Sequence, residues 1–132
     1  MKNPYRKDWV DFYVYVAGPY TKGDVAINVQ SAIRIGNTLS EYSVAHSINI
    51  VPYIPHLTHF WHLMHSHPID FWYDYDLKWL TKCDALYRIP GKSNGADDEC
   101  RWANNNGIFV AHNITELEGW IKTWKQTKGI LS

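Results

Sequence analysis

Apolar positions along this chain switch between a two-residue and a 3.6-residue period, and each switch marks an element. Phe12-Tyr13-Val14-Tyr15-Val16-Ala17 is a β-branched and aromatic run stopped by Gly18-Pro19, which predicts a first strand. From Val25 the apolar positions fall at Val25, Val29, Ala32, Ile33, Gly36 and Leu39, which predicts a helix with one face toward a core. Ser47 to Tyr53 predicts a second strand, and Pro52 argues that its end is not a central ladder position. Asp70 to Lys82 predicts a helix entered through Pro68 and Asp70. Asp84 to Ile89 predicts a short strand ended by Pro90-Gly91. Asp97 to Asn106 predicts a helix closed by Gly107, and Ile108 to Ala111 a further strand. Thr115-Glu116-Leu117-Glu118 reads as a capping box that opens a last helix ending near Lys125. Leu117, Trp120, Ile121 and Trp124 share one face of that helix.

Strands alternating with helices predict an α/β fold, a mainly parallel sheet with helices on both sides, in one domain spanning 1–132. Residues 1–10 read as a loose tail. Residues 54–68 interrupt the alternation with a His- and aromatic-rich insertion, which reads as a flap over a site, as a packed aromatic insertion or as a dimer contact.

Composition narrows the class of partner. Thirteen Lys and Arg balance thirteen Asp and Glu, so no global field attracts a nucleic acid polymer or a membrane surface. No stretch approaches the roughly 20 apolar residues of a membrane span. Met1 to Trp9 lacks the apolar centre of a signal peptide, and Cys83 and Cys100 alone make no disulfide framework, so a cytoplasmic setting is expected. Seven Trp and nine Tyr are many for 132 residues, and such rings line pockets or subunit contacts.

Two strand–loop–helix junctions carry the candidate chemistry. In a parallel sheet such loops gather at the carboxyl ends of the strands, where ligands bind. The second, Pro90 to Glu99, offers backbone amides, Ser93, Lys92 and carboxylates within a few residues, a mix suited to a phosphorylated sugar. It lacks the glycine spacing of a P-loop. Glu99, read in the first turn of the following helix, is either a carboxylate kept ionised for glycosidic chemistry or a simple complement to the helix dipole. Asp76 lies near Trp72, Trp79 and Leu80 on its helix, and is either a partly buried functional carboxyl or a solvated edge residue. His56, His59, His62 and His65 recur every third residue, with His67 beyond. No zinc signature accompanies them, and no metal site is assigned. Phe60, Trp61 and Trp72 could stack on a base while a His such as His59 bonds its edge.

Five blocks together resemble a known family. They are Tyr15-Val16-Ala17-Gly18-Pro19-Tyr20, Pro55-His56-Leu57-Thr58-His59-Phe60-Trp61, Tyr75-Asp76-Leu77-Lys78-Trp79-Leu80, Cys83-Asp84-Ala85-Leu86 and Gly91-Lys92-Ser93-Asn94-Gly95-Ala96-Asp97-Asp98-Glu99. In this order, over roughly residues 12–112, they resemble the nucleoside 2-deoxyribosyltransferase superfamily, which includes the 2′-deoxynucleoside 5′-phosphate N-hydrolases. The likeness is strongest to a small bacterial and phage branch of it. The resemblance implies a flavodoxin-like three-layer sandwich with a four- to five-stranded sheet. It implies Glu99 as the nucleophile at the anomeric carbon, Asp76 beside the leaving base, and Tyr15 next to the nucleophile. Ser93 matches the serine that grips a 5′-phosphate, with Gly95 in the same loop. Gly18, Pro19, Tyr20 and Lys22 match the loop that contacts sugar or phosphate. The implied substrate is a nucleoside or its 5′-monophosphate, with no cofactor, and the implied assembly is a homodimer or larger. Here the hydrolases' Ser-Ile-Arg-Gly-Gly loop is replaced by Pro19-Tyr20-Thr21-Lys22-Gly23, and the His-rich insertion is absent from them. Two other readings stand beside this one: a non-catalytic nucleotide sensor on the same fold, and a His-dependent metalloenzyme.

Overall fold

A computed structural model describes residues 8–129, without the side chains of 44–46. The part of the expected tail at 1–7 lies outside the described residues. The elements are β1 (Asp11–Ala17), α1 (Val25–His46), β2 (Asn49–Tyr53), a 3₁₀ turn (Pro55–Leu57), α2 (Thr58–Met64) and α3 (Ile69–Leu80). They continue with β3 (Ala85–Arg88), α4 (Asn94–Asn105), β4 (Phe109–Ala111) and α5 (Ile114–Thr127). All strand pairs are parallel, in the order β2-β1-β3-β4. This is the order of a flavodoxin-like sheet, and helices cover both of its faces.

The strand period builds the layers. Successive residues of β1 point to opposite faces. Phe12, Val14 and Val16 pack with Ala32 and Leu39 of α1 and with Leu117, Ile121 and Trp124 of α5. Phe12 meets Trp124 edge-on at 4.9 Å. Tyr15 and Ala17 face the other way, among Leu80 of α3 and Ala96 and Ala103 of α4. Each large side chain so buried contributes about 1.5–3 kcal/mol, so both layers are held by their apolar faces. Gly36 lets α1 approach closely, since a Cβ there would lie 2.4 Å from Ile54 Cδ1.

Several expected boundaries move, each for a local reason. The second strand starts at Asn49 because Ser47 has φ of 53°, outside extended geometry. Pro52 is tolerated because β2 is an edge strand. Ile33 is 41% exposed rather than core-facing, and Ile35 packs inward instead. α4 begins three residues earlier than the apolar pattern suggested, because the Ser93 hydroxyl accepts from the Ala96 amide and caps it. The last helix is capped by Asn113, not Thr115: the Asn113 side chain accepts from Glu116 N, and Glu116 Oε1 accepts from His112 N. The 54–68 insertion is largely helical. Among the described residues no helix is long and apolar enough to cross a membrane.

Candidate active site

The order β2-β1-β3-β4 places a switch point between β1 and β3, where chain connections leave in opposite directions and open a crevice. The loops after these two strands meet there. Gly91 makes the meeting possible: its φ is 122°, and a Cβ on it would lie 2.8 Å from Pro19 Cγ. Above the crevice is a cavity of about 540 Å³, walled by α2, α3 and the start of α4. That volume is within the range of small-molecule sites.

Asp76 and Glu99 both line this cavity, although 23 positions separate them and they belong to different helices. Each accepts from a tyrosine of the sheet below. Tyr15 Oη donates to Glu99 Oε2, and Tyr53 Oη donates to Asp76 Oδ1 at 3.2 Å. Burial pushes Glu99 up to about 7, with the Asp76 charge adding to the rise and Tyr15 and Arg88 opposing it. Burial likewise pushes Asp76 up to about 7, and the Tyr53 hydrogen bond opposes this. Burial, then the charges of Glu99 and Asp76, raise Tyr15 well above the phenol range, so it stays a donor.

The helix dipole does not hold Glu99 ionised, contrary to expectation. Because α4 begins at Asn94, Glu99 lies in its second turn, beyond the amides that would hold it ionised. Desolvation dominates instead.

The remaining expected residues divide. Gly18, Tyr20, Lys22, Ser93, Gly95 and His59 all line the cavity. Ser93 Oγ already accepts from Ala96 N at 3.1 Å, which leaves its own proton free to donate. Asn94 and Gly95 occupy the first helical positions, whose amides have no intrahelical acceptor. Tyr20 and His59 hydrogen-bond to each other, Oη to Nδ1. Pro19 does not line the cavity; its carbonyl accepts from His56 Nε2 at 2.8 Å and ties the first loop to the 3₁₀ turn. Trp61 is not on the cavity wall either. His59 and His62 take the inward face of α2, and Trp61 lies about 100° around the helix from His62. It packs edge-on to Trp72 at 5.0 Å and to Tyr75 at 5.4 Å, behind the wall. Of the other two rings expected to stack, Phe60 is 57% exposed and Trp72 lines the cavity.

Other site residues went unassigned by sequence reasoning. Tyr53 is one: its role depends on standing beside Tyr15 in the sheet register. Arg88 is another. It is 8% exposed and donates to the carbonyl of Ile89, to Gly91 O at 2.9 Å and to Asp97 Oδ1 at 2.9 Å. A cation inside an apolar strand, with Asp97 nine residues later, was the available signal. His56, His62, His67 and Tyr73 also line the cavity. Burial lowers the His56 imidazole below its ordinary value, partly offset by the carbonyls of Pro19 and Gly18. Among the described residues, no three His, Cys, Asp or Glu side chains are grouped to hold a metal ion.

No protein-family model matches the chain, and no curated protein matches it either.

Proposed function

We propose that this protein cleaves or exchanges the N-glycosidic bond of a nucleoside, deoxynucleoside or 5′-monophosphate, as a relative of the nucleoside 2-deoxyribosyltransferases. The observation that carries this reading is the carboxyl pair: Glu99 and Asp76, both raised to about 7, share one cavity. Such pairs divide the work of glycosidic cleavage between an anionic nucleophile and a protonated acid.

The surroundings support a division of roles. Glu99 receives the Tyr15 hydroxyl and the field of Arg88, so it is the better anion. Asp76 has only the 3.2 Å bond from Tyr53 and no cation beside it among the described residues, so it is the better proton holder of the two. Glu99 attacks the anomeric carbon while the carbon–nitrogen bond breaks. Its electron pair leaves with the base, and Asp76 supplies the proton. Water then opens the glycosyl ester, with Asp76 taking a proton back, or a second base does so. Ser93 and the first amides of α4 offer donors for a 5′-phosphate or a 5′-hydroxyl. The reading includes a cytoplasmic setting and a homodimer or larger. Phe60, Leu63, Met64 and Ile69, between 57% and 78% exposed beside the cavity wall, suit burial by a second copy.

The test is incubation with a mixed pool of nucleosides, deoxynucleosides and monophosphates, read by mass spectrometry for free base. Wild type releases base from at least one component, and Glu99→Ala lowers the rate by about 10³-fold or more. Unchanged base release in Glu99→Ala defeats the assignment. Tight nucleotide binding without turnover would make the protein a sensor instead.

A further inference from the structure

His62 lines the cavity from α2, and its ring is held in one tautomer. Its Nδ1 lies 2.9 Å from the indole Nε1 of Trp72 and 3.3 Å from the backbone nitrogen of His67. Both neighbours are N–H groups that can only donate. Nδ1 is therefore an acceptor, and the neutral imidazole carries its proton on Nε2. No described residue accepts that proton. The ring is also clamped sterically: Trp72 meets it edge-on at 5.7 Å.

The clamp stands in a defined place relative to the carboxyls. Trp72 and Asp76 are four residues apart on α3, so they lie one above the other on the same side. One helical turn is about 5.4 Å, comparable to the breadth of a heterocyclic base. Trp72, His67 and His62 line the same cavity as Asp76 and Glu99, so the base of a sugar held at the carboxyls can reach them.

We propose that His62 selects the base, donating Nε2–H to a ring nitrogen or carbonyl oxygen on the edge remote from the sugar. This rests on the N-glycosidic reading above. A flexible imidazole accepts or donates as required; this one only donates. A base offering an N–H at that position meets a second donor and is rejected. A base offering an acceptor gains a bond that strengthens as negative charge builds on it during cleavage. Trp72 is the positioning residue, acting through the His62 tautomer.

The experiment compares kcat/KM for the best natural substrate and for analogues each lacking one base acceptor: deaza replacements for ring nitrogens, deoxo or thio replacements for carbonyls. In wild type, one analogue loses roughly 10- to 100-fold, since a site built to bond a group penalises its absence. In His62→Phe the parent substrate falls by a similar factor, while that analogue falls no further. His62→Asn, whose side-chain N–H₂ can still donate, restores part of the discrimination. Trp72→Phe leaves only the 3.3 Å contact from the His67 backbone N–H to hold the tautomer, and narrows the gap between parent and analogue. Thermal unfolding of each variant separates these effects from misfolding, and Trp72→Phe serves as the probe if His62→Phe does not fold. Equal losses on the parent and every analogue in His62→Phe, or full discrimination retained, overturns the proposal and leaves the glycosidic reading standing. Failure of wild type to cleave any nucleoside or monophosphate removes both.

Discussion

Tyr15 and Tyr53 stand at paired register positions of β1 and β2, with ring centroids 5.5 Å apart, and each donates its hydroxyl to a different carboxyl of the cavity. The sheet thus opposes, from below, the rise that burial imposes on both acids. Tyr15 favours the charged form of Glu99, and Tyr53 the charged form of Asp76. With both carboxyls near 7 and close enough to feel each other, the apparent values belong to the pair. The kcat/KM profile is expected to be a bell with its maximum near pH 7. Its acidic limb is loss of the Glu99 anion, and its alkaline limb loss of the Asp76 proton. Tyr15→Phe raises Glu99, moves the acidic limb up and lowers kcat/KM at pH 7 by about tenfold. Tyr53→Phe raises Asp76 and moves the alkaline limb up. Identical profiles in wild type and both variants contradict these roles.

The same desolvation has a consequence for stability. Both carboxyls have folded values above their unfolded ones, so between about pH 4 and 7 the native state binds more protons than the unfolded chain. Their contribution is fully present below about pH 4 and is lost as pH rises through 7. Glu99→Gln, which keeps the shape and removes the ionisation, is therefore expected to be more stable than wild type at pH 8, by on the order of 2 kcal/mol. That margin disappears at pH 4. Urea unfolding at the two pH values measures it, and a variant less stable at pH 8 refutes the account.

Arg88 holds the second loop from beneath. Its donors satisfy the carbonyls of Ile89 and Gly91 and the carboxylate of Asp97, while its own charge is almost wholly buried. Arg88→Met is expected to cost about 1–3 kcal/mol, because the carbonyls of Ile89 and Gly91 and the Asp97 carboxylate lose a charged donor. The Asp97 side chain is 55% exposed and recovers solvent, so Asp97→Asn costs less. Arg88→Lys keeps the charge without the planar fork and regains only part of the loss. KM rises in both Arg88 variants as the Gly91–Ser93 loop slackens. Full recovery in Arg88→Lys would show that charge alone suffices.

What the chain determined by itself was its local order. The apolar periods of Phe12–Ala17 and of Val25–Leu39 follow from burial of one face, and that burial needs no knowledge of the neighbour. The parallel α/β architecture followed from alternation, and the meeting of the loops after β1 and β3 was legible because parallel strands bring their carboxyl ends together. Asp76 and Glu99 were legible as candidates, each with a bland alternative open. Tertiary structure decided what local pattern cannot encode: which residues become neighbours. The pairing of Tyr15 with Tyr53 is a matter of strand register. The inward turn of His62 and the outward turn of Trp61 depend on how α2 is rotated against α3. The shift of Glu99 toward neutrality arises from water excluded by the packing of α3 and α4, and desolvation is a property of the assembled cavity rather than of any segment.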